Sequence, residues 1–223
     1  MNIFSKKKEK TLYFPGCTLS TLLPHLDSNW QHILKDLGID YITLPNLGCC
    51  GSPAYNAGYF SDFEDLKAYN LTILKKNNIT EIISPSPHCV AIFKEKYGFL
   101  AKHTTEVLFE KRDLIKPGRS TIVAYHDSCI LARKLGLTTE PRELLKKTGI
   151  TIKEFPFNKE QTICCGASGG LSQNNQPLAN ALAKKRAEET PEQQILVACP
   201  VCYYHLKKNT NKNIKELSEA FIT

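Results

Sequence analysis

The sequence predicts an α/β fold built twice over, and two observations carry that expectation. Apolar runs of strand length alternate with longer runs of helical period, the arrangement that gives a parallel sheet covered on both faces. The same order of elements and cysteines also appears twice, in residues 11–110 and again in 111–223. Leu12-Tyr13-Phe14-Pro15-Gly16-Cys17 matches the stretch Val123 to Cys129. Gly48-Cys49-Cys50-Gly51 matches Ile163-Cys164-Cys165-Gly166. Glu81 to Cys89 matches Gln194 to Cys202 at an offset of 113, with Ser86 standing where Cys199 stands. The chain is therefore expected to form two pseudo-symmetric Rossmann-like repeats, each a parallel sheet flanked by helices.

The elements follow in order. A strand over Thr11–Phe14 leads to Cys17, and a helix over Pro24–Leu37 is stopped by Gly38. A strand over Asp40–Leu44 leads into the Cys49-Cys50 loop. A helix over Ser61–Asn77, with Leu66, Tyr69 and Leu74 on one face, precedes a strand over Glu81–Ser84 that reaches Cys89. After a linker near residues 105–120, marked by Lys116-Pro117-Gly118, the series repeats. It gives strand Thr121–Tyr125, helix Pro141–Thr148, strand Thr151–Phe155, helix Gln176–Glu189 and strand Gln194–Ala198.

Length and composition set limits. The 223 residues, 42% of them hydrophobic, suffice for one large or two small domains with a real core. No apolar run approaches the roughly 18 residues of a membrane span, and no apolar signal core follows the basic start. The expectation is a cytoplasmic protein without a transmembrane segment. Net charge is +7, but residues 1–10 alone contain four Lys and one Glu and read as a flexible basic tail. Without a basic helix or stripe carrying interleaved aromatics, nucleic acid is not an expected partner.

All nine cysteines fall in the repeated pattern. An odd count cannot pair completely within one chain, and a reducing compartment argues against disulfides. Each cysteine group follows a strand, and the carboxyl ends of parallel strands line the ligand crevice of an open α/β sheet. Three distant loops in each half should thus converge, making two pockets. Adjacent cysteines suit a multi-iron cluster, where each thiolate takes a different iron, better than a single ion. Gly51 and Gly166 would permit a tight turn and close approach to a bulky cofactor. The second half offers five thiols, Cys129, Cys164, Cys165, Cys199 and Cys202, more than the four of a structural zinc site. The first half offers Cys17, Cys49, Cys50 and Cys89. Four thiols admit a cubane cluster, an altered cluster with Ser86 or water on one iron, zinc, or a purely structural site. A redox dithiol at Cys199-Pro200-Val201-Cys202 is the remaining alternative.

The duplicated pattern resembles the cysteine-rich CCG domain family, which includes the B-type subunit of heterodisulfide reductase and the iron–sulfur subunits of glycolate and lactate oxidation systems. The resemblance covers residues 11–207 or so, and it implies that Cys129, Cys164, Cys165, Cys199 and Cys202 ligate one [4Fe-4S] cluster. It implies that Cys17, Cys49, Cys50 and Cys89 hold a second. Ser86 departs from the heterodisulfide reductase pattern and leans toward the lactate-oxidation members, while the intact Cys199-Pro200-Val201-Cys202 leans back. The implied activities are reduction of a disulfide held between the clusters or electron relay without a substrate site. A zinc-stabilised docking scaffold is the alternative outside redox chemistry.

No ferredoxin Cys-x-x-Cys-x-x-Cys run and no Gly-x-Gly-x-x-Gly fingerprint occurs. Electrons must then come from, and go to, partner oxidoreductase subunits. His126, just before Cys129, is the candidate catalytic residue as a proton donor at the crevice mouth; a histidine bonded to backbone is the plainer reading. Asp127 reads as a proton group or a helix cap, His88 as a support for ligands or a packing residue, and Trp30, Tyr203 and Tyr204 as core or interface aromatics.

Overall fold

The structure is a computed structural model that describes residues 8–118 and 120–222. Most of the basic stretch 1–10 lies outside the described residues. Two parallel sheets flanked by helices account for the fold. The strands are β1 (Lys10–Tyr13), β2 (Ile79–Ser84), β3 (Leu100–His103), β4 (Thr121–His126), β5 (Ile150–Glu154), β6 (Gln194–Val197) and β7 (Asn213–Glu216). The helices are α1 (Pro24–Asp36), α2 (Ser52–Asn56), α3 (Phe60–Lys76), α4 (Pro87–Ile92), α5 (Thr104–Glu110), α6 (Thr139–Lys147), α7 (Leu171–Asn174), α8 (Gln176–Glu188) and α9 (Pro200–Asn209). One sheet runs β1-β2-β3 and the other β5-β4-β6-β7, with every pairing parallel.

The expected strand at Asp40–Leu44 shrinks to a single parallel bridge, Leu12 to Ile42. Two backbone bonds hold it, Tyr13 N to Ile42 O at 2.9 Å and Ile42 N to Thr11 O at 2.9 Å. The next bond in register would run to Leu44 O from residue 15, which is proline and has no N–H to donate, so the ladder stops. With that bridge counted, the first sheet has the order of the second, and the duplication extends to the topology. The edge strands β3 and β7 go beyond the elements that periodicity predicts. They are equivalent: Lys102 and Lys215 share a position, and both strands end in a capping box. Glu106 closes the first on His103 and Glu219 closes the second on Glu216. The linker expected at residues 105–120 is partly helical, because α5 occupies Thr104–Glu110. Trp30 and Tyr203 are buried as expected, whereas Tyr204 is partly exposed. On α3 the buried residues are Phe63, Asn70 and Leu74; Tyr69 faces outward and bonds the Asn46 carbonyl.

The halves pack by exchange. Helix α5, closing the first half, lies on α6, the first long helix of the second. Reciprocally, α1 lies on the 3-10 turn Leu217–Ala220 that closes the second half. The larger hydrophobic core therefore joins Tyr13, Leu26, Trp30 and Leu34 to Val123, Tyr125, Leu144 and Leu217. A smaller core, including Leu12, Phe63, Ile82 and Phe93, belongs to the first half.

Glu216 sits inside this junction, fully buried. One of its oxygens accepts from the Ser218 amide at 2.8 Å and from the Ser218 hydroxyl. Among the described residues the other oxygen has no partner, nor does the indole N–H of Trp30 close by. Burial outweighs the Ser218 bonds and pushes the carboxyl up to about 8, from an ordinary 4.5. Folded chain holds this proton between those two values while unfolded chain has released it. The contribution of Glu216 to stability is thus complete below pH 4.5 and is lost as pH rises through about 8. Thermal melts across that range are expected to show a falling midpoint for the wild type and a flatter profile for Glu216→Gln.

Candidate metal centre

Each cysteine loop is set by a backbone device. β1 and β4 end just before Cys17 and Cys129, and each cysteine opens a π-helical turn, Thr18–Leu22 or Ile130–Lys134. Such turns are rare and concentrate at functional sites. β2 and β6 run into Ser86-Pro87 and Cys199-Pro200, where proline starts α4 and α9. This puts Cys89 and Cys202 in the first turns of those helices, whose N-termini favour negative charge.

The paired cysteines lie in matching loops closed by a left-handed glycine, Gly51 at φ +84° and Gly166 at φ +85°. The amides of Gly51 and Ser52 turn back on Cys49 and Cys50, and those of Gly166 and Ala167 on Cys164 and Cys165. These are nests of consecutive N–H donors, suited to anionic sulfur. The tight turn expected of the glycines is present. The close approach is different: a Cβ on Gly51 would meet the Phe63 ring at 2.7 Å, and one on Gly166 would meet the Ala179 carbonyl at 2.9 Å. The glycines thus let the following helix close on the loop. Asn70, which no motif marked, staples the first loop. It accepts from Gly48 N at 2.9 Å and donates to Cys49 O at 2.8 Å and to the Tyr97 hydroxyl at 3.1 Å.

The structure brings the five thiols of the second half together. Cys129 Sγ lies 3.6 Å from Cys164 Sγ, and the contacts continue from Cys164 to Cys165, Cys202 and Cys199. Cys165, Cys199 and Cys202 are buried. Sulfurs this close share protons. The hydrogen bond from Cys129 holds Cys164 well below an ordinary thiol, and the Gly166 amide assists at 3.4 Å. Burial opposes charge on Cys199, but hydrogen bonds from Cys202 and His88 outweigh it and bring that thiol down as well. The donors rise: Cys129 and Cys165 by bonding Cys164, and Cys202 by bonding Cys165 and Cys199. In the first half the sulfurs form a similar line. Cys17 Sγ lies 4.0 Å from Cys49 Sγ, followed by Cys50 and Cys89. There Cys17, Cys49 and Cys50 all shift upward.

His126 is not at a crevice mouth. It is fully buried beneath the sulfurs, with its ring nitrogen, Cys165 Sγ and Cys202 Sγ all within 4.8 Å of one another. Burial, with the Arg186 guanidinium, brings it down to about 4, so it is neutral. Asp127 is neither a helix cap nor a free acid. Its two oxygens grip Arg142 at 2.9 and 2.8 Å, and one also accepts from Lys159 N at 2.8 Å. His88 reaches across from the first half toward Cys199 and favours its thiolate.

A cleft of about 490 Å³ opens beside the first set of thiols. Cys17, Cys50, Cys89, Ser86 and His88 line one side, and Ala167–Gly170 and Val201 from the second half line the other. Among the described residues, no Asp, Glu, Lys or Arg lines it. The donor set fits a thiophilic metal group: soft sulfur ligands, N–H nests, and a buried histidine nitrogen without a partner at the sulfurs. No helix among the described residues is long and apolar enough to cross a membrane.

Fold and site together define a duplicated α/β protein with cysteine-lined candidate metal centres. The profile of the cysteine-rich CCG domain matches residues 11–94 and again 123–207, and the chain belongs to that family. An uncharacterised iron–sulfur protein of Methanocaldococcus jannaschii is 30% identical over 223 residues, covering 95% of this chain and 45% of that protein. The D-type subunit of the dihydromethanophenazine:CoB–CoM heterodisulfide reductase of Methanosarcina acetivorans is 30% identical over 219 residues, covering 89% of this chain and 54% of that one. Lactate utilization protein A 1 of Bacillus anthracis is 25% identical over 238 residues, covering 95% and 96%. The chain thus spans about half the length of the first two.

Two substitutions test the supports. Gly166→Ala combines a left-handed backbone with a backbone clash and is expected to cost about 1–3 kcal/mol. Asp127→Ala leaves Arg142 paired with Glu154 alone and the Lys159 amide without its acceptor, and is expected to cost about 1–3 kcal/mol. Denaturant unfolding of metal-free protein measures both.

Proposed function

We propose that this chain is an iron–sulfur, electron-transferring subunit of an oxidoreductase complex. Cys129, Cys164, Cys165, Cys199 and Cys202 would hold one [4Fe-4S] cluster, and Cys17, Cys49, Cys50 and Cys89 a second. The convergence of five thiols from three distant segments carries this reading. Zinc needs only four. The cytoplasmic location expected from the sequence and the oxidoreductase partner subunits belong to the same reading.

When bound, such clusters supply one-electron redox chemistry. The residues do the rest. The nest amides favour the thiolate forms, the burial of Cys165, Cys199 and Cys202 excludes water, and His88 bridges the cleft to the second set of thiols. The cleft is where a substrate would meet both halves. In a heterodisulfide reductase-like role, a disulfide would lie there and be reduced to two thiols by two electrons from a partner subunit and two protons from solvent. Walls without ionised carboxylates or amines favour a substrate of low charge over a polyanion. A specific observation supports a second reading, electron relay in lactate or glycolate oxidation without a substrate site. Ser86 replaces a thiol, and the match to lactate utilization protein A spans nearly both chains.

Anaerobic reconstitution followed by iron, sulfide and zinc analysis tests the assignment. About eight iron atoms per chain are expected, with replacement of Cys164, Cys165 and Cys199 by alanine removing roughly half. An iron-free protein, or zinc in the first site, overturns the corresponding ligand assignment. Adding a small disulfide to the oxidised protein separates the two roles: a new paramagnetic signal supports disulfide reduction, and silence supports relay.

A further inference from the structure

Among the described residues, His126 is the one buried histidine with an open nitrogen beside sulfur. Histidines buried elsewhere in the chain show the contrast. His103 pairs Nε2 with the Pro85 carbonyl at 2.9 Å and Nδ1 with the Thr105 hydroxyl at 2.8 Å. His205 pairs Nε2 with the Ala179 carbonyl at 3.0 Å and Nδ1 with Asn209 at 3.3 Å. At His126, Nδ1 accepts from Arg186 Nε at 3.1 Å, whereas Nε2 has no partner.

Arg186 decides which ring nitrogen carries the proton. A guanidinium is only ever a donor, and this one is fixed. It is 1% exposed, bonds Glu189, donates to the Phe157 carbonyl at 2.9 Å, and lies 4.0 Å above the Phe155 ring. A proton on Nδ1 would set donor against donor. The proton therefore sits on Nε2, whose lone pair is then unavailable for metal ligation even though a ring nitrogen lies within 4.8 Å of the Cys165 and Cys202 sulfurs.

We propose that His126, held in its Nε2–H tautomer by Arg186, is a positioning residue that donates an N–H···S hydrogen bond to the sulfur of the Cys165/Cys202 centre. Such a bond stabilises the more negative, reduced state and raises the reduction potential. The same geometry distinguishes this role from proton delivery: His126 is fully buried and does not line the cleft. The inference rests on the second set of thiols holding a cluster.

The test uses anaerobically reconstituted protein labelled with ¹⁵N-histidine. Iron and sulfide content are measured first, then the midpoint potential, then pulsed EPR of the reduced state. Wild type should show a weak ¹⁵N coupling and a solvent-exchangeable proton near the centre. In His126→Leu the coupling and proton of this ring should disappear, leaving those of His88 at Cys199, with a negative shift in potential. His126→Gln, which keeps a donor, should recover part of that shift. A strong ¹⁵N coupling means direct ligation and overturns the proposal. So does an unchanged potential in a fully loaded His126→Leu protein. Iron-free wild type fails at the first measurement instead, and it removes the cluster reading together with this one.

Discussion

Negative charge on closely packed sulfur is the constraint around which the second half is arranged. Five thiols in contact within a mostly buried pocket cannot all ionise, because each thiolate is desolvated and repels the next. The chain alone resolves this by proton sharing, with Cys164 and Cys199 accepting what Cys129, Cys165 and Cys202 donate. A metal group resolves it differently, by replacing those protons with cations. The surrounding scaffold serves the charged state in either case. N–H nests and helix N-termini point positive ends at sulfur.

The fold produces this arrangement by ordinary means. Parallel strands end at the same side of a sheet, so loops far apart in sequence meet there. Left-handed glycines at 51 and 166 reverse the chain after each cysteine pair. Buried ionic groups then fix the supports: Asp127 with Arg142, and Arg186 with Glu189. Removing one partner of such a pair strands the other without solvent, so these residues confer geometry more than net stability.

Much of this was legible in the sequence, because duplication supplies its own control. The parallel sheets, the long helices and the grouping of the thiols follow from spacing and periodicity that occur twice. The missing parts have physical reasons. β3 and β7 are four-residue edge strands with lysines and polar ends, too short for a period; their equivalence at the 113 offset, with Glu106 and Glu219 three residues beyond each strand, was the available signal. The stretch 40–44 has strand composition but only one bridge, since pairing depends on a partner edge that no local pattern reveals. Sequence neighbours put His126 beside a loop and hence at a surface. Its burial depends on Arg186, 60 residues away, and a lone arginine in a helix of lysines and alanines gives no hint of being interior.

The two halves complete one another's sites. His88 from the first reaches Cys199 of the second, and the segment after Cys165 walls the cleft beside Cys17 and Cys89. The exchanged elements bind them further, with α1 packed on Leu217–Ala220 and Trp30 and Leu217 in one core. Synthesis of the protein is consequently directional while its maturation is not. When the first set of thiols leaves the ribosome it lacks the wall that Ala167–Gly170 and Val201 will provide. The surroundings of the first set of thiols are thereby tied to the folding of the second half, a form of timing written into the packing itself.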